Sequence, residues 1–142
     1  MDSQSASEAQ RTKIYRNRSS GEDAVGYVCG EEIFRLRWGT GVKIGRSEQD
    51  EAGWRILRST RFDEKELGRI TTDGVIHSHG LFQGGSLGWL EPDGTVIQGG
   101  LIFSEEDVGR VDGPQMQIAA AALLLIFVPE EDEGSREMVR RG

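Results

Sequence analysis

The sequence predicts an all-β fold, a ring or stack of four to five β-hairpin repeats with a period of about twenty residues, followed by one C-terminal hydrophobic α-helix. Three observations carry this. Glycine is abundant, 20 in 142 residues against a usual share of roughly 7%, and is not set in triplets, which excludes collagen and favours a turn-rich β architecture. An aliphatic residue followed by glycine returns at Val25-Gly26, Ile44-Gly45, Leu67-Gly68, Leu87-Gly88 and Val108-Gly109, in steps of 19, 23, 20 and 21 residues. A run of eleven apolar residues, 118–128, then breaks the rhythm.

In chain order, residues 1–12 read as a disordered lead-in, lacking the basic start and apolar stretch of a secretory signal. Lys13-Ile14-Tyr15-Arg16-Asn17-Arg18 reads as a first strand with a solvated basic face. After each aliphatic–glycine pair comes a large polar or aromatic residue, then a β-branched residue or leucine: Gly26-Tyr27-Val28, Gly68-Arg69-Ile70, Gly88-Trp89-Leu90 and Gly109-Arg110-Val111. Gly45-Arg46-Ser47 fits halfway. Turns follow, clearest at Thr72-Asp73-Gly74 and Pro92-Asp93-Gly94, where Asp-Gly is expected to supply the positive φ angles of a tight hairpin. The second strands are 75–79 and 96–100, with earlier copies at 33–38 and 54–57. Within 33–38, Phe34, Leu36 and Trp38 alternate with Arg35 and Arg37, which predicts that the apolar three face the core. A lone hairpin is marginal in water, so the units must pool their apolar faces into one domain, residues 13–113.

These units resemble the small bacterial repeat proteins called four-fold or five-fold β-flowers, whose copies look like DG-x-V-I followed by V-G-x-I around a central axis. The similarity rests on Asp73-Gly74-Val75-Ile76 with Leu87-Gly88-Trp89-Leu90, and on Asp93-Gly94-Thr95-Val96-Ile97 with Val108-Gly109-Arg110-Val111. It covers about residues 13–113, and the 45–68 unit departs from it, with Ser47 to Ala52 in place of Asp-Gly. The resemblance implies a β ring and no established activity, so it brings no catalytic residues.

Four successive alanines, 119–122, favour a helix in the last apolar segment. The segment is shorter than the ~20 residues that cross a bilayer, so no membrane span is expected. Pro129 with Glu130-Glu131-Asp132-Glu133 is expected to end it. A helix that is apolar all round must be covered on more than one side. Residues 114–128 are therefore expected to pack on or plug the β layer, with Leu123, Leu124 and Phe127 as partner-binding candidates should one side stay open. Residues 129–142 read as a charged flexible tail.

The net charge of −7 argues against general nucleic-acid affinity. Cys29 is the single cysteine, so no intrachain disulfide forms, and the reading favours the cytoplasm. His77 and His79, at i and i+2 on a strand, share one face and are candidate ligands for a divalent transition metal, with a third ligand needed from Cys29, Asp73 or a glutamate. No other cofactor is expected. In the repeat alignment these histidines correspond to Gln98 and Gly100, so the scaffold itself does not require them. Gly39-Thr40-Gly41-Val42-Lys43-Ile44-Gly45 lies among β repeats instead of opening a helix, which removes it as a phosphate loop. No serine sits in a nucleophile elbow and Cys29 lacks an activating context, so no residue is assigned a catalytic role. Trp38, Trp54 and Trp89, with Tyr27, read as core aromatics or as a sugar-stacking platform.

The expected function is a non-enzymatic structural or interaction module with a protein partner or self-association through the helix. The alternatives are a small-ligand or metal-binding protein centred on His77 and His79, a metal-dependent hydrolase there, or a carbohydrate binder.

Overall fold

The computed structural model of this chain describes residues 10–79, 86–100 and 104–131. Its strands are β1 (Arg11–Arg18), β2 (Gly21–Cys29), β3 (Glu32–Arg37), β4 (Thr40–Asp50), β5 (Gly53–Ser59), β6 (Glu64–Thr71), β7 (Val75–Ser78), β8 (Ser86–Leu90), β9 (Thr95–Gln98) and β10 (Glu106–Asp112). Each pairs antiparallel with the next, and β10 returns to β1, so the sheet closes into a barrel. Closure leaves no strand edge to recruit another chain. After β10 the chain enters α1 (Met116–Ala122), winds as a π-helix over Leu123–Phe127, and stays helical through residue 131.

The helix fills the barrel. Eight strands enclose a bore that wall side chains just fill, and ten enclose a wider one. Here the extra width is taken by the helix, whose residues 118–128 are all buried alongside Ile14, Val28, Ile33, Ile56, Ile70, Ile76 and Val96 of the wall. Arg11 and Thr12, read as lead-in, belong to β1. The fully buried Thr12 accepts a hydrogen bond from the Gln115 N–H at 2.6 Å, which fixes where the helix enters.

Each of the five aliphatic–glycine pairs lies at a β-bulge on an even-numbered strand. Val25, Ile44, Leu67, Leu87 and Val108 are the extra residues, and the glycines that follow pair with Ile14, Ile33, Ile56, Ile76 and Val96. Glycine is needed because a Cβ there would strike the carbonyl of the adjacent strand, Phe34, Leu57, His77, Ile97 and Tyr15 in turn, and at four of the five it would also crowd the plug. A Cβ on Gly26 would lie 2.6 Å from Phe127, on Gly45 3.5 Å from Ile126, on Gly68 3.0 Å from Leu125, on Gly88 2.8 Å from Leu124 and on Gly109 3.0 Å from Leu123. Five consecutive plug residues thus address the five glycines in turn around the barrel. An α-helix turns about 100° per residue, more than the about 72° that five evenly spaced contacts require. The i→i+5 closure of a π-helix winds more slowly. The Val128 N–H accordingly donates to the Leu123 carbonyl, five residues back. We take this match as the reason the helix relaxes to π over these five residues.

Three expectations are corrected. Pro129 does not end the helix, since helical backbone continues to residue 131; the wider turn before it eases the clash a proline ring makes with the carbonyl four residues back. On β3 the inward face is Ile33 and Arg35, while Phe34 lies outside, stacked on Tyr27 at 4.9 Å between ring centroids. A one-residue change of parity moves every side chain to the other face, and here Ile33 takes the seat opposite Gly45. In the Asp-Gly turns only the glycine takes a positive φ, 89° at Gly74 and 98° at Gly94. Their N–H groups donate to Thr71 and Glu91, closing four-residue turns with glycine last. In the divergent unit Asp50 replaces the motif, its carboxylate accepting the Ala52 and Gly53 N–H groups.

Candidate functional site at the basic rim

The turns after β1, β3 and β5 lie at the barrel end where the plug emerges. Two residues beyond the buried Ile14, Ile33 and Ile56, on the same strand face, stand Arg16, Arg35 and Arg58. They meet two glutamates at the end of the plug. Arg35 donates to Glu130 at 2.8 Å and Arg58 at 2.7 Å. Arg16 lies 3.5 Å from Glu131, which also takes both terminal nitrogens of Arg18 at 3.2 Å. Arg16 and Arg58 further donate to the bulge carbonyls of Val108 and Ile44, each at 3.0 Å, capping groups that the bulges free from the ladder.

Carboxylates at a helix C-terminus face the negative end of the helix dipole, so Glu130 and Glu131 depend on these arginines. Partial burial pushes the Glu130 carboxyl up, and the hydrogen bonds and charges of Arg58 and Arg35 outweigh it, leaving the group below its ordinary 4.5. A depressed carboxylate stabilises the fold in full above its unfolded value and loses that contribution as the pH falls through its folded one. We therefore expect the plug end to loosen at a pH below 4.5, and Glu130→Gln to lose about 2 kcal/mol at pH 7 while flattening that acid dependence. Urea unfolding across pH 3–7 reads both; an unchanged acid limb in the variant would remove Glu130 as the clamp.

Beside this clamp runs an open groove of about 540 Å³ between the β3–β4 and β5–β6 hairpins, lined among others by Arg35, Arg37, Val42, Lys43, Arg58 and Arg61. Lys43 pairs with Glu32 at 2.9 Å, and Arg35 and Arg58 share Glu130. Arg37 and Arg61 meet no carboxylate among the described residues. Trp38 is 97% exposed at one hairpin tip and Phe62 90% exposed at the other. Trp38 and Gly39 link the paired residues Arg37 and Thr40 with φ of 54° and 78°, the two-residue turn that ordinarily selects Asn, Asp or Gly at its first position. A tryptophan there is a backbone outlier.

Residues 129–131, read from the sequence as the start of a charged flexible tail, are helical and form this rim, while 132–142 lie outside the described residues. The sequence signal for the rim was the Ile-x-Arg spacing shared by Ile14-Arg16, Ile33-Arg35 and Ile56-Arg58.

The other candidates fall elsewhere. Leu123, Leu124 and Phe127 are buried against the wall glycines, and of the three Phe127 also lines an open groove at the rim. His79 contacts Glu66, which also pairs with Arg55 in an ion-pair ladder on the outer wall. His77 pairs across the sheet with Arg69 and Ser86. Asp73 is in the turn before β7, and Cys29 ends β2 on another part of the wall. Among the described residues no group of three His, Cys, Asp or Glu is placed to hold a metal. The tryptophans are not brought together: Trp54 packs on the core and pairs with Gln49 and Ile70, while Trp89 pairs with Val75 and Ile97. No described helix is long and apolar enough to cross a membrane. Comparison with known protein families, curated proteins and solved structures finds no match to this chain.

Proposed function

We propose that the chain is a non-enzymatic interaction module, built from five copies of one hairpin unit of about twenty residues around a shared plug, and that it binds an anionic ligand at the basic rim. The observation that carries this is the contrast between a filled bore and an open rim. The buried plug residues 118–128 occupy the bore, so this reading places recognition on the outside. There Arg37 and Arg61 meet no carboxylate among the described residues, on a protein of net charge −7. Such a local reversal of sign draws anions to one end of the molecule. The rigid barrel presents the hairpin tips as a scaffold presents binding loops.

Titration with inorganic pyrophosphate, followed by amide NMR, tests the reading. Shifts should cluster at residues 35–43 and 58–62 and weaken with added salt. Absence of shifts, or shifts centred on the His77 wall, would refute rim recognition.

A further inference from the structure

Resting on that reading of the rim, we propose that its ligand is the surface of an anionic phospholipid bilayer, with Trp38 and Phe62 entering the headgroup layer and Arg37, Arg61 and Lys43 facing the lipid phosphates.

Three observations converge. The large hydrophobic side chains that are exposed among the described residues are Trp38, Phe62 and Val42, and all three belong to this end of the molecule or line its groove. An exposed aromatic ring at a loop tip has no folding benefit, whereas tryptophan and phenylalanine partition well into the interfacial layer of a membrane. Each tip carries its own cation, Arg37 before Trp38 and Arg61 before Phe62, the pairing of ring and positive charge that an anionic interface favours.

Trp38 is held at a φ of 54°, where asparagine or glycine would relieve strain and remove the exposed ring together. Keeping tryptophan there opposes stability twice. The balance changes if the ring is covered by something outside the chain.

Charge supplies the complementarity and the orientation. With a net charge of −7, approach to an anionic surface is favoured by the end that carries Arg37 and Arg61, which meet no carboxylate among the described residues. A bilayer touches only the hairpin tips and leaves the acidic remainder facing water. A long polyanion that wraps the protein would meet that acidic surface, which is why a membrane is favoured here over a nucleic acid.

The test is cosedimentation of the full chain with vesicles of phosphatidylcholine alone and of phosphatidylcholine with phosphatidylserine, with soluble phosphoserine and a single-stranded oligonucleotide as separate arms. Binding should require phosphatidylserine, weaken with salt, and fall at least about tenfold in the Trp38→Ala/Phe62→Ala double variant. Arg37→Gln and Arg61→Gln should each weaken it roughly fivefold. Trp38→Asn should raise the melting temperature while weakening vesicle binding, which separates the ring's binding role from folding. Equal binding to both vesicle types, or full binding by the double variant, overturns the proposal. Retained pyrophosphate shifts at the rim without vesicle binding would sink the membrane assignment and leave the rim reading standing. Tight oligonucleotide binding without vesicle binding would overturn it in favour of nucleic acid. Loss of pyrophosphate shifts and vesicle binding together would refute both.

Discussion

A chain ending at Gly113 is expected not to fold. The deleted segment buries Ile118, Leu123, Leu124, Leu125, Ile126, Phe127 and Val128, none more than 6% exposed. Burial of one such side chain contributes about 1.5–3 kcal/mol. The seven together match or exceed the about 5–15 kcal/mol by which a domain of this size is stable. Unlike the loss of a surface helix, this deletion empties the axis of a barrel whose wall is glycine at five inward positions, and a ten-stranded bore cannot collapse far enough to close the gap. Circular dichroism and amide NMR should show a chain without a cooperative thermal transition, and a peptide of residues 114–131 added in excess should restore it. A truncated protein that unfolds cooperatively with the parent's β signature would show that the barrel stands alone, and would reopen the helix as a surface for self-association.

Alanine at a wall glycine is expected to be nearly as damaging. A Cβ on Gly88 would fall inside the 3.0 Å that real Cβ atoms essentially never cross, against the Ile97 carbonyl on one side, and 2.8 Å from Leu124 on the other. One neighbour is backbone in the sheet and the other is a plug side chain with no free space. Overpacking a close-packed interior costs typically 1–3 kcal/mol, and a collision with ladder backbone places Gly88→Ala at the upper end or beyond, about 4 kcal/mol. Gly68→Ala, which meets the His77 carbonyl and Leu125 in the same way, should behave alike. Gly41→Ala is the informative comparison, because its Cβ would meet the end of the Tyr27 ring on the outer wall, which can swing aside; about 1 kcal/mol is expected there. Urea midpoints rank the three. Equal losses at Gly88 and Gly41 would remove close approach to the adjacent-strand carbonyl and the plug as the reason for glycine.

Much of this architecture is legible in the residues because each feature has a local cause. A bulge followed by close approach demands an aliphatic residue and then glycine, so the pairs could be read directly from the chain. The plug was legible as a fully apolar segment, since only burial on all sides tolerates one. Facing was harder. On β3 the alternation of Phe34 and Leu36 with Arg35 and Arg37 reads as apolar inward, yet arginine turns inward because Glu130 waits there, nearly a hundred residues away in sequence. The rim was hidden for the same reason: an acidic run after a proline looks like a tail until the wall supplies its counter-charges. The histidine pair shows the converse, a local pattern whose surroundings bring His79 to Glu66 and assemble no metal-ligand cluster among the described residues.

The central claim is that five successive plug residues seat on five wall glycines, one to each hairpin. Nuclear Overhauser contacts between methyl or ring protons of residues 123–127 and glycine α-protons test it most directly. The expected pairs are Leu123 with Gly109, Leu124 with Gly88, Leu125 with Gly68, Ile126 with Gly45 and Phe127 with Gly26. A set in which two of these residues share one glycine, as regular α-helical winding would give, or in which the contacts run around the barrel in another order, would contradict it.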